Sequence, residues 1–188
     1  MKGVLFVNKK IKLMLLILVS LLFISSCFGN RGAILVDENR RTDNRMEEIG
    51  SAIKDKDKEA LKSLFSKKAL NEVNDFDNEL DYFFDFIQGD VESWKRDSIS
   101  SSTSYESGKT TNMIRFGFRL VTDVDKYDFF IIDYNIDTIN PYNEGVYMIQ
   151  LRKSSYVGSW GGSWQERMRP GFFIQEMEES DELEEAEE

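Results

Sequence analysis

The chain has 188 residues, with 24 basic against 34 acidic side chains, no histidine and one cysteine. A net charge of −10 excludes the basic footprint that nucleic acid or an anionic lipid surface needs in a partner. The missing histidine excludes serine–histidine and cysteine–histidine nucleophile pairs and any histidine-ligated zinc or iron site; no metal and no cofactor are expected.

Lys2, Lys9, Lys10 and Lys12 precede an apolar run at residues 13–24, which Ser25-Ser26-Cys27 follows. A basic start, an apolar stretch and small residues before a cut site predict a secretory signal peptide over residues 1–26. The run has 12 residues, whereas a membrane-spanning helix needs roughly 20, so an uncleaved anchor fits poorly. The ending Ile24-Ser25-Ser26-Cys27 resembles a bacterial lipobox. That resemblance implies that Cys27 is lipidated, becomes the mature N-terminus, and fixes the protein to the extracytoplasmic face of the cell membrane. A single acyl chain anchors only marginally, at about 0.8 kcal/mol per buried methylene, so two or more on one cysteine are needed for stable attachment. With Cys27 used for lipid, no disulfide supports the fold.

Residues 27–37 then read as lipidated cysteine and tether, 38–175 as one domain, and 176–188 as an acidic tail. The first 26 residues hold four lysines and no acids, and nine acids lie in 176–188. The domain itself is therefore only mildly acidic. The tail has too few apolar residues to fold and too many like charges to compact, and is expected to be solvated.

In residues 38–55, Met46, Ile49, Ala52 and Ile53 fall on one stripe of a helix. Asp57 reads as the N-cap of a second helix over 58–65, with Ala60, Leu61, Leu64 and Phe65 inward. Ser66-Lys67-Lys68 reads as a turn. A third helix over 75–88 would bury Phe76, Leu80, Phe83, Phe84 and Ile87, and Gly89 would end it. Its Asp77, Asp81 and Asp85 form a solvated face; the start at Asp75 faintly resembles a calcium loop but has Leu80 where glycine is required.

After Gly89 the apolar period changes from 3.6 to 2. Residues 91–98 alternate loosely around Trp94, and the serine-rich 99–109 reads as a frayed edge or a loop. Ile114, Phe116, Phe118 and Leu120 share one face of the next strand, with Met113, Arg115, Gly117 and Arg119 on the other. The strand over 127–137 is apolar on both faces at Phe129-Phe130-Ile131-Ile132, which marks it as central. Another strand covers 146–153, a last short one is expected near 164–168, and Pro170-Gly171 closes the domain.

Helices followed by strands joined through short turns give an α+β class: three N-terminal helices packed on an antiparallel sheet of four to five strands. The phrases at residues 56–66, 83–89 and Ile132-Asp133-Tyr134 resemble an uncharacterised lipoprotein family of low-GC Gram-positive bacteria, a domain of unknown function. The resemblance covers residues 39–173. It implies a curved sheet of the nuclear-transport-factor-2-like cone kind and a membrane location, and carries no catalytic residues across.

Such a cone can enclose a pocket, and Trp94, Phe116, Phe118, Phe130, Tyr134 and Tyr147 are the aromatics placed to line one for a small apolar ligand. A filled core accounts for the same residues. Asp133 with Tyr134 is the pair that a histidine-free isomerase or dehydratase would use. If Ile132 and Tyr134 face the helices with Phe116 and Phe118, Asp133 points outward, into a cross-strand ladder with Arg115, Arg119, Asp137 and Arg152. Phe129, Ile131, Met113 and Met148 would then make the outer sheet face half apolar, a surface for a homodimer or an envelope protein. The sequence thus predicts a non-enzymatic binding domain on a lipid anchor, with a carboxylate/tyrosine enzyme or a purely structural envelope component as alternatives.

Overall fold

The computed structural model describes residues 29–156, 160 and 168–176. The chain forms two compact units, residues 1–40 and 41–188. The signal segment, Cys27, residues 157–159 and 161–167, and the tail beyond Glu176 lie outside the described residues.

The first helix, α1 (Gly29–Lys54), starts well before residue 38, where the sequence suggests a tether. Nothing in residues 29–54 forbids it: there is no proline, and a glycine in a helix costs only about 1 kcal/mol. Within the first unit Arg40 pairs with Asp37 at 2.7 Å. In the second unit α1 turns Ile49, Ala52 and Ile53 into the core, as the 3.6-residue period requires.

Helix α2 (Lys58–Ser63) is capped by Asp57, whose carboxylate accepts the Ala60 amide at 2.9 Å. The expected turn after it is instead a helix, α3 (Lys67–Glu72). Ser66 caps it by accepting the Ala69 amide at 3.1 Å, and Ala69 is buried. Helix α4 (Phe76–Phe86) begins at the cap Asp75, which accepts the Asn78 amide. It buries Phe76, Leu80 and Phe83 and ends three residues before Gly89, whose φ of +85° serves the turn into the sheet. Among the described residues, four helices rather than three therefore precede the strands.

The sheet runs in the order β1 (Val91–Glu106), β2 (Lys109–Thr122), β3 (Lys126–Asp137), β4 (Gly145–Lys153) and β5 (Gly171–Gln175). Neighbours are antiparallel except β4 and β5, which are parallel. Two expectations are corrected here. The serine-rich 99–106 is a regular strand, because the facing half of β2 needs backbone partners. Its turn is Ser107-Gly108, both at positive φ (49° and 79°), the two-residue geometry that matches strand twist. The second correction concerns Pro170-Gly171, which does not close the domain. Gly171, at φ +87°, opens β5, and this makes the sheet mixed rather than antiparallel. Of the strand expected at 164–168, only Met168 is described, and it lies in a turn.

The helices α1 to α4 and the α2–α3 link supply Ile49, Leu61, Phe65, Ala69, Phe76 and Phe83 to a single core with Phe116, Phe118, Phe129, Ile131, Ile149 and Phe172 of the sheet. The face carrying these strand residues is the helix face. Two close fits tie helices to it. A Cβ on Gly50 of α1 would stand 2.6 Å from the Trp94 ring, so only glycine lets the helix lie this close. The link between α2 and α3 makes an isolated bridge to β4, with Ser66 N–H donating to Val146 O and Val146 N–H to Leu64 O.

Candidate functional site

The site is built by the register of β2 and β3. Phe118 stands opposite Phe129, Phe116 opposite Ile131 and Ile114 opposite Asp133. Directly opposed residues share a face, so Phe129, Ile131 and Asp133 look toward the helices. Phe130, Ile132 and Tyr134 look the other way. This reverses the parity expected for β3. The ion-pair ladder expected on the outer face is correspondingly different: Arg119 takes Asp128 at 2.7 Å, while Asp133 is on the helix face.

Asp133 meets α1 there. Its Oδ2 accepts from Arg45 Nε at 3.0 Å, and Arg45 Nη1 also holds Glu48 at 2.8 Å. The Asp133 side chain is only 9% exposed, and its Oδ1 is buried without a hydrogen-bond partner. Burial pushes its carboxyl above the usual range, with Glu48 adding to the rise; the Arg45 charge and hydrogen bond pull the other way without cancelling it. Beside it, a chain of polar contacts crosses four elements. Arg41 of α1 donates to Asn135 Oδ1 at 2.5 Å, Asn135 to Asn112 Oδ1 at 3.1 Å, and Asn112 to Thr103 Oγ1 at 2.8 Å. Asp43 pairs with Arg96 at 2.9 Å, and Glu47 accepts the Trp94 indole N–H at 3.0 Å. The helix thus sits over β1, β2 and β3 on polar contacts at its first turns in this unit and on apolar ones further along.

The end of β3 has a second buried carboxylate. Asp137 Oδ1 accepts from the Ile139 and Asn140 amides and from Thr111, and Oδ2 accepts from Asn143 Nδ2 at 2.6 Å. Burial alone would raise its carboxyl, but these donors outweigh burial and hold it below the usual range. A carboxylate depressed in the folded state contributes stability that is present above its unfolded value, near 3.9, and is lost as pH falls through the folded value. Asp137→Asn is expected to cost about 1–3 kcal/mol at neutral pH. The difference from the parent, read by urea unfolding, should shrink below about pH 4.

The six nominated aromatics do not surround one space. Phe116 and Phe118 are 1% and 0% exposed in the core, with Phe118 stacked on Phe129 at 4.4 Å. Trp94 is half-buried against Gly50. Phe130 and Tyr134 are on the outer face, where Tyr134 makes an edge contact with Tyr147 at 5.9 Å. Phe129 and Ile131, expected on the outer face, are core residues, and on the outer face Ile132 and Met148 have no exposure at all. A cavity of about 210 Å³ lies elsewhere, between the end of α1 and the start of β1. Ile53, Phe84, Ile87 and Val91 form its apolar side, and Lys54 and Lys56 line it as well. None of the six lines it.

The acidic face of α4 is solvated as expected. Asp77 pairs with Lys62, and Asp81 with Lys58 at 2.7 Å. Among the described residues no cluster of metal-ligating side chains occurs and no helix is long and apolar enough to cross a membrane. One signal in the sequence marks the correct parity: Arg119 and Asp128 flank the β2–β3 turn at positions that oppose each other only in the observed register. No curated protein matches the chain. A family model described as "Domain of unknown function (DUF5104)" matches residues 48–154, more than half of the sequence, and the chain belongs to that family.

Proposed function

We propose that this protein is an exported lipoprotein of a low-GC Gram-positive bacterium, held on the outer side of the cell membrane by Cys27, with a non-enzymatic domain that binds a small ligand or an envelope protein. One observation carries the reading: the chain's single cysteine stands directly after Ser25-Ser26 at the end of an apolar run with lysines before it. A curved, cone-like sheet with helices on one face is the shape we assign to the domain.

The carboxylate/tyrosine enzyme is the second reading, and Asp133 is what favours it. A carboxyl raised by burial is the usual starting point for general acid–base work. Two facts weigh against it. Asp133 is engaged by Arg45, and Tyr134, adjacent on the strand, points to the opposite face. The paired groups of such an enzyme do not converge.

Labelling cells with a radioactive fatty acid tests the anchor. Label is expected in the parent protein and not in Cys27→Ala, which should also remain at precursor length. Equal label in both would overturn the reading.

A further inference from the structure

Four charged side chains line the cavity between the end of α1 and the start of β1: Lys54 and Lys56, Asp85 and Asp90. Among the described residues none of the four carries an ion pair or a side-chain hydrogen bond; Asp85 reaches Lys58 only through its charge. Lys58, the third lysine of the lining, is engaged, by Asp81 at 2.7 Å and over the Phe84 ring at 5.9 Å. Two cations and two anions thus face one space without reaching each other, beside an apolar wall that includes the buried Ile53. At about 210 Å³ the space is smaller than the roughly 300–1,000 Å³ of sites for drug-sized molecules.

The walls are fixed. Gln88 N–H donates to Tyr127 Oη at 2.8 Å and Asp90 N–H to Asp123 Oδ1 at 2.7 Å, which pins the turn from α4 into β1. On the other side α1 closes with Lys56 N–H donating to Ile53 O at 3.1 Å and Asp57 N–H to Ala52 O at 2.9 Å. In this helix ending the residue at positive φ is usually glycine, because a Cβ is strained there. Here it is Lys56, at φ +52°. Capping favours glycine at that position; a binding site accounts for a lysine kept there against the strain.

We propose that this cavity binds a small zwitterion with an apolar arm, the chemistry of a free apolar amino acid. Its carboxylate goes to Lys54 and Lys56, its ammonium to Asp85 and Asp90, and its side chain lies against Ile53 and Phe84. The charges select the class. A simple carboxylate would be opposed by Asp85 and Asp90, and a simple amine by the two lysines. A neutral apolar molecule would desolvate all four charges with none in return. The assignment rests on the domain being a small-ligand binder and does not involve the anchor on Cys27.

Isothermal titration of the full chain with L-leucine tests it. L-leucine should bind at least about tenfold more tightly than N-acetyl-L-leucine, which lacks the cation, L-leucinamide, which lacks the anion, and glycine, which lacks the apolar arm. Two variants report from opposite ends of the ligand. Lys56→Gly should raise the melting temperature by relieving the positive φ, yet weaken L-leucine about tenfold and L-leucinamide not at all. Asp90→Asn should weaken L-leucine about tenfold and leave N-acetyl-L-leucine unchanged. Equal affinity across the four compounds, or unchanged L-leucine affinity in either variant, would overturn the proposal. So would no binding of L-leucine at millimolar concentration. If crosslinking of the full chain in its membrane then still captures a partner, this site assignment alone falls; if it captures none, the binding-domain reading falls with it.

Discussion

Phe83→Ala is expected to cost the domain about 4 kcal/mol, a large share of a total on the order of 5–15 kcal/mol. Phe83 has no exposure and sits at the centre of an aromatic cluster. Its ring lies 4.6 Å from Phe172 of β5, 6.1 Å from Phe129 of β3 and 5.5 Å from Phe84 of its own helix. Phe65 and Phe76 complete the cluster through Phe172, at 5.0 and 5.5 Å. Truncation loses the transfer free energy of the ring and leaves a cavity that three different elements would have to close together. The effect should extend to β5, whose first turn hangs on the same helix: Glu79 accepts the Phe172 amide at 3.1 Å and pairs with Arg169 at 3.1 Å. Chemical denaturation of the purified domain reads the loss in midpoint, and hydrogen exchange should show β5 opening first. A loss under about 1.5 kcal/mol, the cost of a volume-conserving swap, would mean that the cluster is looser than its distances imply.

Much of this core is legible in the sequence, because α4 and β2 each have one apolar face and one polar face. Phe76, Leu80 and Phe83 recur at helical spacing, and Ile114, Phe116, Phe118 and Leu120 at strand spacing, so period and face are read together. The strand β3 is different. Phe129-Phe130-Ile131-Ile132 is apolar on both faces, so nothing within it says which side meets the helices. Its parity is set by the turn, where Val121 pairs with Lys126; a closure one residue longer would reverse every side chain. The Asp133 site depends on that one residue of turn length, and this is why reasoning from the strand alone puts the carboxylate on the wrong face. Two other differences have similar causes. A helix of six residues such as α3 is too short to show a period, although its cap, Ser66, is visible. The serines of β1 have turn-like composition, and only the long-range pairing with β2 makes them a strand. The parallel strand β5 has its signal in Phe172-Phe173-Ile174, but Pro170-Gly171 at its start reads as a stop.

Arg45→Met should cost about 3 kcal/mol at neutral pH, and that cost should fall as the solution is acidified. The reason is asymmetric. Removing one partner of a buried pair leaves the other charge uncompensated, at about 3–5 kcal/mol, and the lower end applies because Arg45 is 24% exposed. In the variant both pulls that lower the Asp133 carboxyl, the Arg45 charge and its hydrogen bond, are gone, while desolvation and Glu48 still raise it. The sign follows directly. The Asp133 carboxyl is raised in the folded state, so the folded state holds the proton more tightly than the unfolded one. Stability from this group is therefore complete below the unfolded value, near 3.9, and is lost as pH rises through the folded value. Arg45→Met moves that folded value higher and widens the window over which acid restores stability. The double variant Arg45→Met, Asp133→Leu should recover most of the loss at neutral pH, since apolar replacement of both partners of a buried pair is often neutral or stabilising. Urea midpoints of the parent, the single variant and the double variant across mild acid to neutral pH decide it. If the single variant loses stability equally at every pH, Asp133 is not the group left uncompensated. The same series bears on function, because Asp133→Asn that leaves stability intact yet abolishes binding of a membrane partner would move the carboxylate from holding α1 in place to contacting what the domain binds.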